Sequence, residues 1–354
     1  HNKLFFTYRG RSALQIILKA MGIKKNDYVA LQGFTCSAVI EAIMSLEAKP
    51  VFIDILKKNL MIDINDLIQK SNIKKPKVLI IQYTFGLYTS QCIEKIKDYC
   101  DKNKIYLIED CCHINPLETF KNKVGNYGDA SFFSFEWGKP VVGGIGGAYK
   151  INNKKIFLSS ENIYEGLKKP SLLKEIIILL QYLTYKFFYN PSRYWILKDL
   201  FNMLSKNKII IGNFSKINFK KNGSNNFQLK SLKISENIVK KKIYNETYDY
   251  KKVENILNLI RDGNDFFNLI EYHKKNIKFL RIPLLVRNKE KILNLARKSN
   301  IELAGWYTSV IHPYNENLLI NFGYKNGSCP NAEDLSLQVV SIPISINLLK
   351  LKKL

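Results

Sequence analysis

Short apolar runs alternate with helically spaced segments over the first 150 positions. In residues 12–22, Leu14, Ile17 and Met21 share one side of a helix, and Gly22 is a natural stop. Strands are expected at 28–31, 51–53, 77–81, 106–108 and 131–135, with helices at 37–46 and 90–102 between them. Several of these runs, such as Lys77-Val-Leu-Ile-Ile81, are apolar on both alternating faces, as strands covered on both sides require. The pattern predicts an α/β fold with a mostly parallel central sheet and helices on both faces, spanning residues 1–230. From residue 231 the expected elements are a helix at 231–245, a strand at 279–287, a helix at 289–298 and a closing strand at 339–343. These form a smaller C-terminal α+β domain, 231–354.

Residues 165–215 stand apart. Leu172 to Tyr189 is apolar and aromatic, Pro191 breaks it, and an amphipathic stretch, Arg193 to Leu204, follows. Gly166 to Lys208 holds eight basic residues against two acidic ones. Leu172, Ile176, Leu179, Leu183 and Phe187 repeat at helical spacing. Two readings stay open: a basic amphipathic pair lying on a bilayer surface, or apolar helices buried in the core or against a partner subunit. The uncharged run 176–185 is too short to span a membrane.

Composition narrows the class. With 46% apolar and 24% charged residues, the chain of 354 can bury a core. His1 to Tyr8 lacks a leader pattern, so a cytoplasmic protein is expected, with the inner membrane face as its alternative site. The six cysteines and four histidines show no zinc spacing, and reduced thiols are expected. The net charge of +25 raises nucleic acid as a partner. However, no nucleic-acid module is recognisable and Lys, Asn and Ile are abundant throughout, so no nucleic-acid partner is expected.

In open α/β sheets ligands gather beyond the carboxyl ends of strands. That rule selects Gln32 to Cys36, Tyr83 to Gly86, Asp110 to His113 and Glu136 to Lys139. Asp110 ends an apolar strand, where a carboxylate needs a cation or donors. A cofactor's pyridinium nitrogen, a helix cap and a metal would each serve. Lys139 is either a loop lysine in solvent or an amine activated by burial; Gly143, Gly144, Gly146 and Gly147 after it suit close ligand approach. Gly10-Arg-Ser12 opens a helix, where a phosphate would find free amides and a favourable dipole, or where Ser12 is simply an N-cap.

Together these segments resemble the DegT/DnrJ/StrS-type nucleotide-sugar aminotransferases, a group with the type I PLP-enzyme fold. The resemblance runs through Gly10-Arg-Ser-Ala-Leu14, Gly33-Phe-Thr-Cys36, Ala48 to Asp54, Glu109-Asp-Cys-Cys-His113, Gly125 to Ala130, Phe133-Ser-Phe135 with Lys139, and Gly146-Gly147. It ends in Trp306, His312-Pro313 and Cys329 to Glu333. It implies pyridoxal 5'-phosphate as cofactor, carried by Lys139 as a Schiff base, with Asp110 on the pyridinium nitrogen and His113 beside the ring or its hydroxyl. Ser134, Arg11 and Ser12 would hold the phosphate, and Cys36 stands where an aromatic residue commonly stacks on the ring. Asn226 would reach a neighbouring subunit's site, making a homodimer the active unit. The implied reaction aminates a nucleotide-linked keto-sugar with an amino-acid donor, commonly glutamate. Gln228 replaces a common Arg, and Pro140 restricts Lys139 towards extended angles. The alternatives are a silent PLP-fold regulatory or binding protein and a sugar dehydratase. In the dehydratases of this family a His replaces the lysine, so Lys139 argues against that branch.

Overall fold

The computed structural model describes residues 3–207, 209–212, 225–245, 248–263, 268–269 and 278–348. The first part of the chain runs β1 (Phe5–Thr7), α1 (Gly10–Ala20), β2 (Tyr28–Gln32), β3 (Thr35–Cys36), α2 (Ser37–Met44), β4 (Lys49–Ile53), α3 (Ile64–Ile73) and β5 (Val78–Gln82). It continues α4 (Ser90–Asn103), β6 (Tyr106–Asp110), α5 (Pro116–Lys121), β7 (Ala130–Ser134), β8 (Gly147–Ile151) and α6 (Lys154–Glu165). Seven strands form one sheet in the order β1-β8-β7-β6-β5-β2-β4. β4, β2, β5, β6 and β7 pair in parallel, while β8 runs antiparallel to β7 and to β1.

The apolar strands are apolar because helices cover both faces. Along β7, Phe132 packs into one core and Phe133 into the other; along β6, Leu107 and Ile108 divide in the same way. One core adds Leu14 and Ile17 of α1 and Ile40 of α2, and the other Ile93 and Ile96 of α4. This two-sided burial explains why the strand runs show no polar alternation.

The first helix begins earlier than its apolar pattern. Arg9 is its cap, with extended backbone, and Ser12 lies inside it as the third residue. The expectation of Ser12 as N-cap is therefore corrected: Gly10 can enter the helix because α1 meets the end of β7, where a side chain at position 10 would press on Phe133 and Ser134. Gly22, in the left-handed region, turns the chain out of the helix as expected.

The rest of the chain contains α7 (Leu172–Phe188), α8 (Tyr194–Lys206), α9 (Lys233–Ile243), α10 (Tyr250–Gly263), β9 (Asn268–Leu269), β10 (Arg281–Leu285), α11 (Lys289–Lys298), β11 (Ile311–His312), α12 (Pro330–Gln338) and β12 (Val339–Pro343). β12, β10 and β9 make a small antiparallel sheet. Three links join this part to the large sheet. β11 pairs in parallel with β3, setting His312 opposite Cys36. The Leu280 amide donates to the Phe85 carbonyl at 2.9 Å. The Asp54 carboxylate, just past β4, accepts the Asn331 and Ala332 amides at 3.0 and 2.9 Å, at the start of α12.

The apolar stripe of α7 faces outward. Leu172 is 81% exposed and Phe187 72%, and Ile176, Leu179 and Leu183 are exposed with them, whereas Ile178 on the opposite side is fully buried. The reading of this stripe as a core face is thus corrected for the described chain.

Candidate active site

Glu109 and Asp110 are adjacent acids that end β6 with opposite roles, because alternate strand residues point to opposite faces. Glu109 is fully buried and accepts hydrogen bonds from the Gly125 and Gly128 amides, each at 2.7 Å, and from the Tyr83 hydroxyl. It fixes the turn preceding β7. Asp110 is 4% exposed, accepts the Cys112 amide at 2.9 Å, and forms no ion pair among the described residues. Burial raises its carboxyl above the usual range, and the Lys139 charge works against that rise. No cluster of His, Cys, Asp and Glu among the described residues could hold a metal ion.

His113 lies on the turn after β6. Its Nδ1 accepts the Phe85 amide at 2.9 Å, so the neutral ring carries its proton on Nε2. Burial, reinforced by Lys139, holds its pKa well below the ordinary histidine value. Phe85 reaches it from a left-handed backbone, φ 58°. Gly86 follows at φ 88°, where a side-chain carbon would come within 2.4 Å of the Lys278 carbonyl.

Lys139 sits in the turn beyond β7, its amide directed at the Glu136 carbonyl at 3.3 Å. Its ammonium charge bears on Asp110, His113, Cys36, Cys112 and His312. These groups come from β3, β6 and its turn, and β11, so the charge of one lysine bears on three parts of the fold. Cys36 feels Lys139 and Arg11 as well, but burial dominates and raises its thiol.

Ser134, at the end of β7, lies beside Gly10. Arg11 is buried and ion-paired with Glu41 of α2. The Ser12 amide donates to the Arg9 carbonyl at 3.0 Å. Asn226 lies in a short turn, Asn225–Gln228, packed against α1; its side chain lies outside the described residues. The structure therefore sets Asp110, His113 and Cys36 within reach of the Lys139 charge and Ser134 next to the start of α1.

Several polar and aromatic neighbours carry no signal in the sequence that assigns them a role. Gln82, the residue paired with Asp110 across the sheet, accepts from the Thr35 hydroxyl at 2.9 Å and donates to the Thr84 hydroxyl at 2.8 Å and the Tyr307 hydroxyl at 3.1 Å. Tyr307 is buried, stacks on Phe34 with centroids 4.2 Å apart, and has its phenol raised by burial and by Cys36 and Asp110. Trp306 approaches His113, centroids 5.9 Å apart. Lys289 donates to the carbonyls of Trp306, Tyr307 and Ser336 at 3.3, 3.1 and 2.8 Å, and burial lowers its pKa to about 8. Gln82 was one position short of the strand-end segments; nothing local marks Tyr307, which arrives from a distant loop.

A buried carboxylate lacking an ion pair, a neutral imidazole on the same turn and an amine whose charge bears on both suit a flat heterocycle with a protonated nitrogen and an aldehyde. The residues present fit pyridoxal 5'-phosphate.

Residues 7–163 carry the pattern of the DegT/DnrJ/EryC1/StrS aminotransferase family. A GDP-perosamine synthase of Vibrio cholerae is 34% identical over 144 residues, 41% of this chain and 38% of that protein. Its counterpart in Escherichia coli O157:H7 is 30% identical over 149 residues, 42% and 40% of the two chains. The chain thus spans about two fifths of these relatives' length. Among solved structures, ntda of Bacillus subtilis with bound cofactor PMP superposes with TM-score 0.65 at 17% identity, covering 99% of this chain and 72% of that one. The E. coli GDP-4-keto-6-deoxy-D-mannose-3-dehydratase with bound hydrated PLP gives TM-score 0.68 at 15% identity, with coverage of 99% and 85%. Both likenesses establish the fold.

Proposed function

We propose that this chain is a pyridoxal-phosphate-dependent aminotransferase that aminates a keto-sugar carried on a nucleotide or lipid diphosphate, with an amino acid such as glutamate as donor, in surface-glycan biosynthesis. The observation that carries this reading is the buried Asp110 without an ion pair and the buried His113 on the same turn, both bearing the Lys139 charge. The bound cofactor supplies an electron sink that acidifies the carbon bearing the transferred nitrogen. Asp110 would hold a proton on the ring nitrogen, as its burial without an ion pair favours a cationic partner. Lys139 would bind the cofactor's aldehyde carbon and, once displaced, carry a proton between neighbouring carbons through its Nζ. His113, kept neutral with Nδ1 occupied by the Phe85 amide, would present Nε2–H as a donor. Ser134, Arg11 and Ser12 would face the phosphate, Cys36 would lie against the ring, and Asn226 would serve the site of a second copy in a homodimer.

The matched GDP-perosamine synthases and the family pattern support amination of a nucleotide-linked sugar. Both aminotransferases and dehydratases share the fold, and a lysine at position 139 favours the former. Six free cysteines support a reducing, cytoplasmic setting. No helix among the described residues is long and apolar enough to cross a membrane.

The absorbance spectrum of the purified protein tests the reading. A near-violet band that shifts to shorter wavelength with glutamate, and is absent in Lys139→Ala, is the expected outcome. A wild-type protein that takes up no cofactor and shows no response overturns it.

A further inference from the structure

We propose that the outer face of α7 and α8 is a docking surface for an anionic lipid bilayer. The stripe Leu172, Ile176, Leu179, Leu183 and Phe187 spans about 80° of the helix circumference at 100° per residue. Leu180 lies beside it, and Ile196, Leu200 and Met203 continue the exposed apolar surface on α8. An apolar patch of this extent marks an interaction site rather than scattered exposure.

The opposite side of the hairpin is locked, so the stripe is held outward. Ile178 is buried against Gly144, and Tyr185 packs on Trp137 with centroids 5.0 Å apart. The Glu175 carboxylate accepts the Lys233 and Ile234 amides at 2.8 and 3.2 Å, capping α9. Gln181 exchanges two hydrogen bonds with Ile211. The Tyr189 hydroxyl donates to Glu302 at 2.6 Å, and the Trp195 indole to the Ile301 carbonyl at 2.8 Å. Turning the stripe inward would break all of these.

Charge selects the occupant. Lys168, Lys169, Lys186, Arg193 and Lys206 are exposed, and none forms an ion pair among the described residues. The two acids of the hairpin are engaged: Glu175 caps α9, and Asp199 pairs with Arg297. A second copy docked across a two-fold axis would oppose two such cationic rims. An anionic membrane instead neutralises the rim while the interface takes up the apolar stripe. At 17 residues α7 is too short to span and long enough to lie along the surface. This inference stands on the surface alone, independent of the aminotransferase reading.

Flotation of the full chain with vesicles tests it. Wild-type protein should bind vesicles of equimolar phosphatidylcholine and phosphatidylglycerol more than tenfold more tightly than phosphatidylcholine alone. High salt should weaken that binding. Leu179→Glu with Leu183→Glu, both at exposed positions, should lower it more than tenfold while circular dichroism and the cofactor spectrum stay unchanged. Wild-type protein that ignores the anionic vesicles, or a double variant that floats equally well, overturns the proposal. So does light scattering in which the double variant only breaks a dimer, because the face then belongs to a second copy.

Discussion

Single residues near the candidate site show how burial sets charge. His312 has its pKa pushed down to about 4, first by burial and then by Lys289, Lys139 and Lys198; His113 is depressed in the same direction. Each stays neutral in the folded chain where the unfolded chain binds a proton. Stability should therefore be complete above about pH 6.5 and fall as pH drops towards about 4, with at most about 3 kcal/mol from His312. Urea unfolding at about pH 7 and about pH 5, for wild type and His312→Gln, measures this; equal slopes in both proteins would remove His312 as a source. The Arg281–Glu302 pair is a second case, joined at 2.6 Å with side chains 8% and 1% exposed. Glu302→Ala strands the guanidinium and the Tyr189 hydroxyl, and should cost about 3–5 kcal/mol in the same assay. Strand-end position put Asp110, His113 and Lys139 among the candidates, and the family resemblance rather than spacing alone singled them out. Tyr307 and Lys289 were not legible, because the nearness of Tyr307 to Gln82 and the contact of Lys289 with the Tyr307 carbonyl exist only in the folded chain.

At the level of elements, legibility followed burial. The parallel strands β2, β4, β5, β6 and β7 were readable because two-sided covering leaves an unbroken apolar run. The edge pair β1 and β8 was missed. β1 has three residues, and β8 includes the buried Lys150, whose amine reaches Asn126, so its composition reads as loop. What determines β8 is close packing: a side-chain carbon on Gly147 would come within 2.4 Å of the Arg9 and Gly10 backbone. Gly147→Ala should push α1 off the sheet and cost about 1–3 kcal/mol, read as a lower thermal midpoint. An unchanged midpoint would show that α1 yields without strain. The antiparallel small sheet was half visible, since β10 and β12 carry apolar runs and the two-residue β9 carries none.

For the whole molecule, the sequence exposed the peculiarity of 165–215 but not its orientation, because helical spacing names a stripe and not what it faces. The described fold turns that stripe away from the core and pins the hairpin between the turn that carries Lys139 and the chain at and just after the end of α11. The net charge of +25 was equally ambiguous until the exposed cations could be placed around an apolar face. The three links between the two sheets carry a separate consequence. Because β11 is laced to β3, Leu280 to Phe85 and the start of α12 to Asp54, the strand-end segments that carry Cys36, Phe85 and Asp54 are fixed by folding itself. Little ordering remains for a ligand to impose, so association should proceed without a slow closing step and with a small change in heat capacity. In kinetic terms these segments form a mould set before the guest arrives, and changes to the links should alter how fast ligands leave more than how fast they enter.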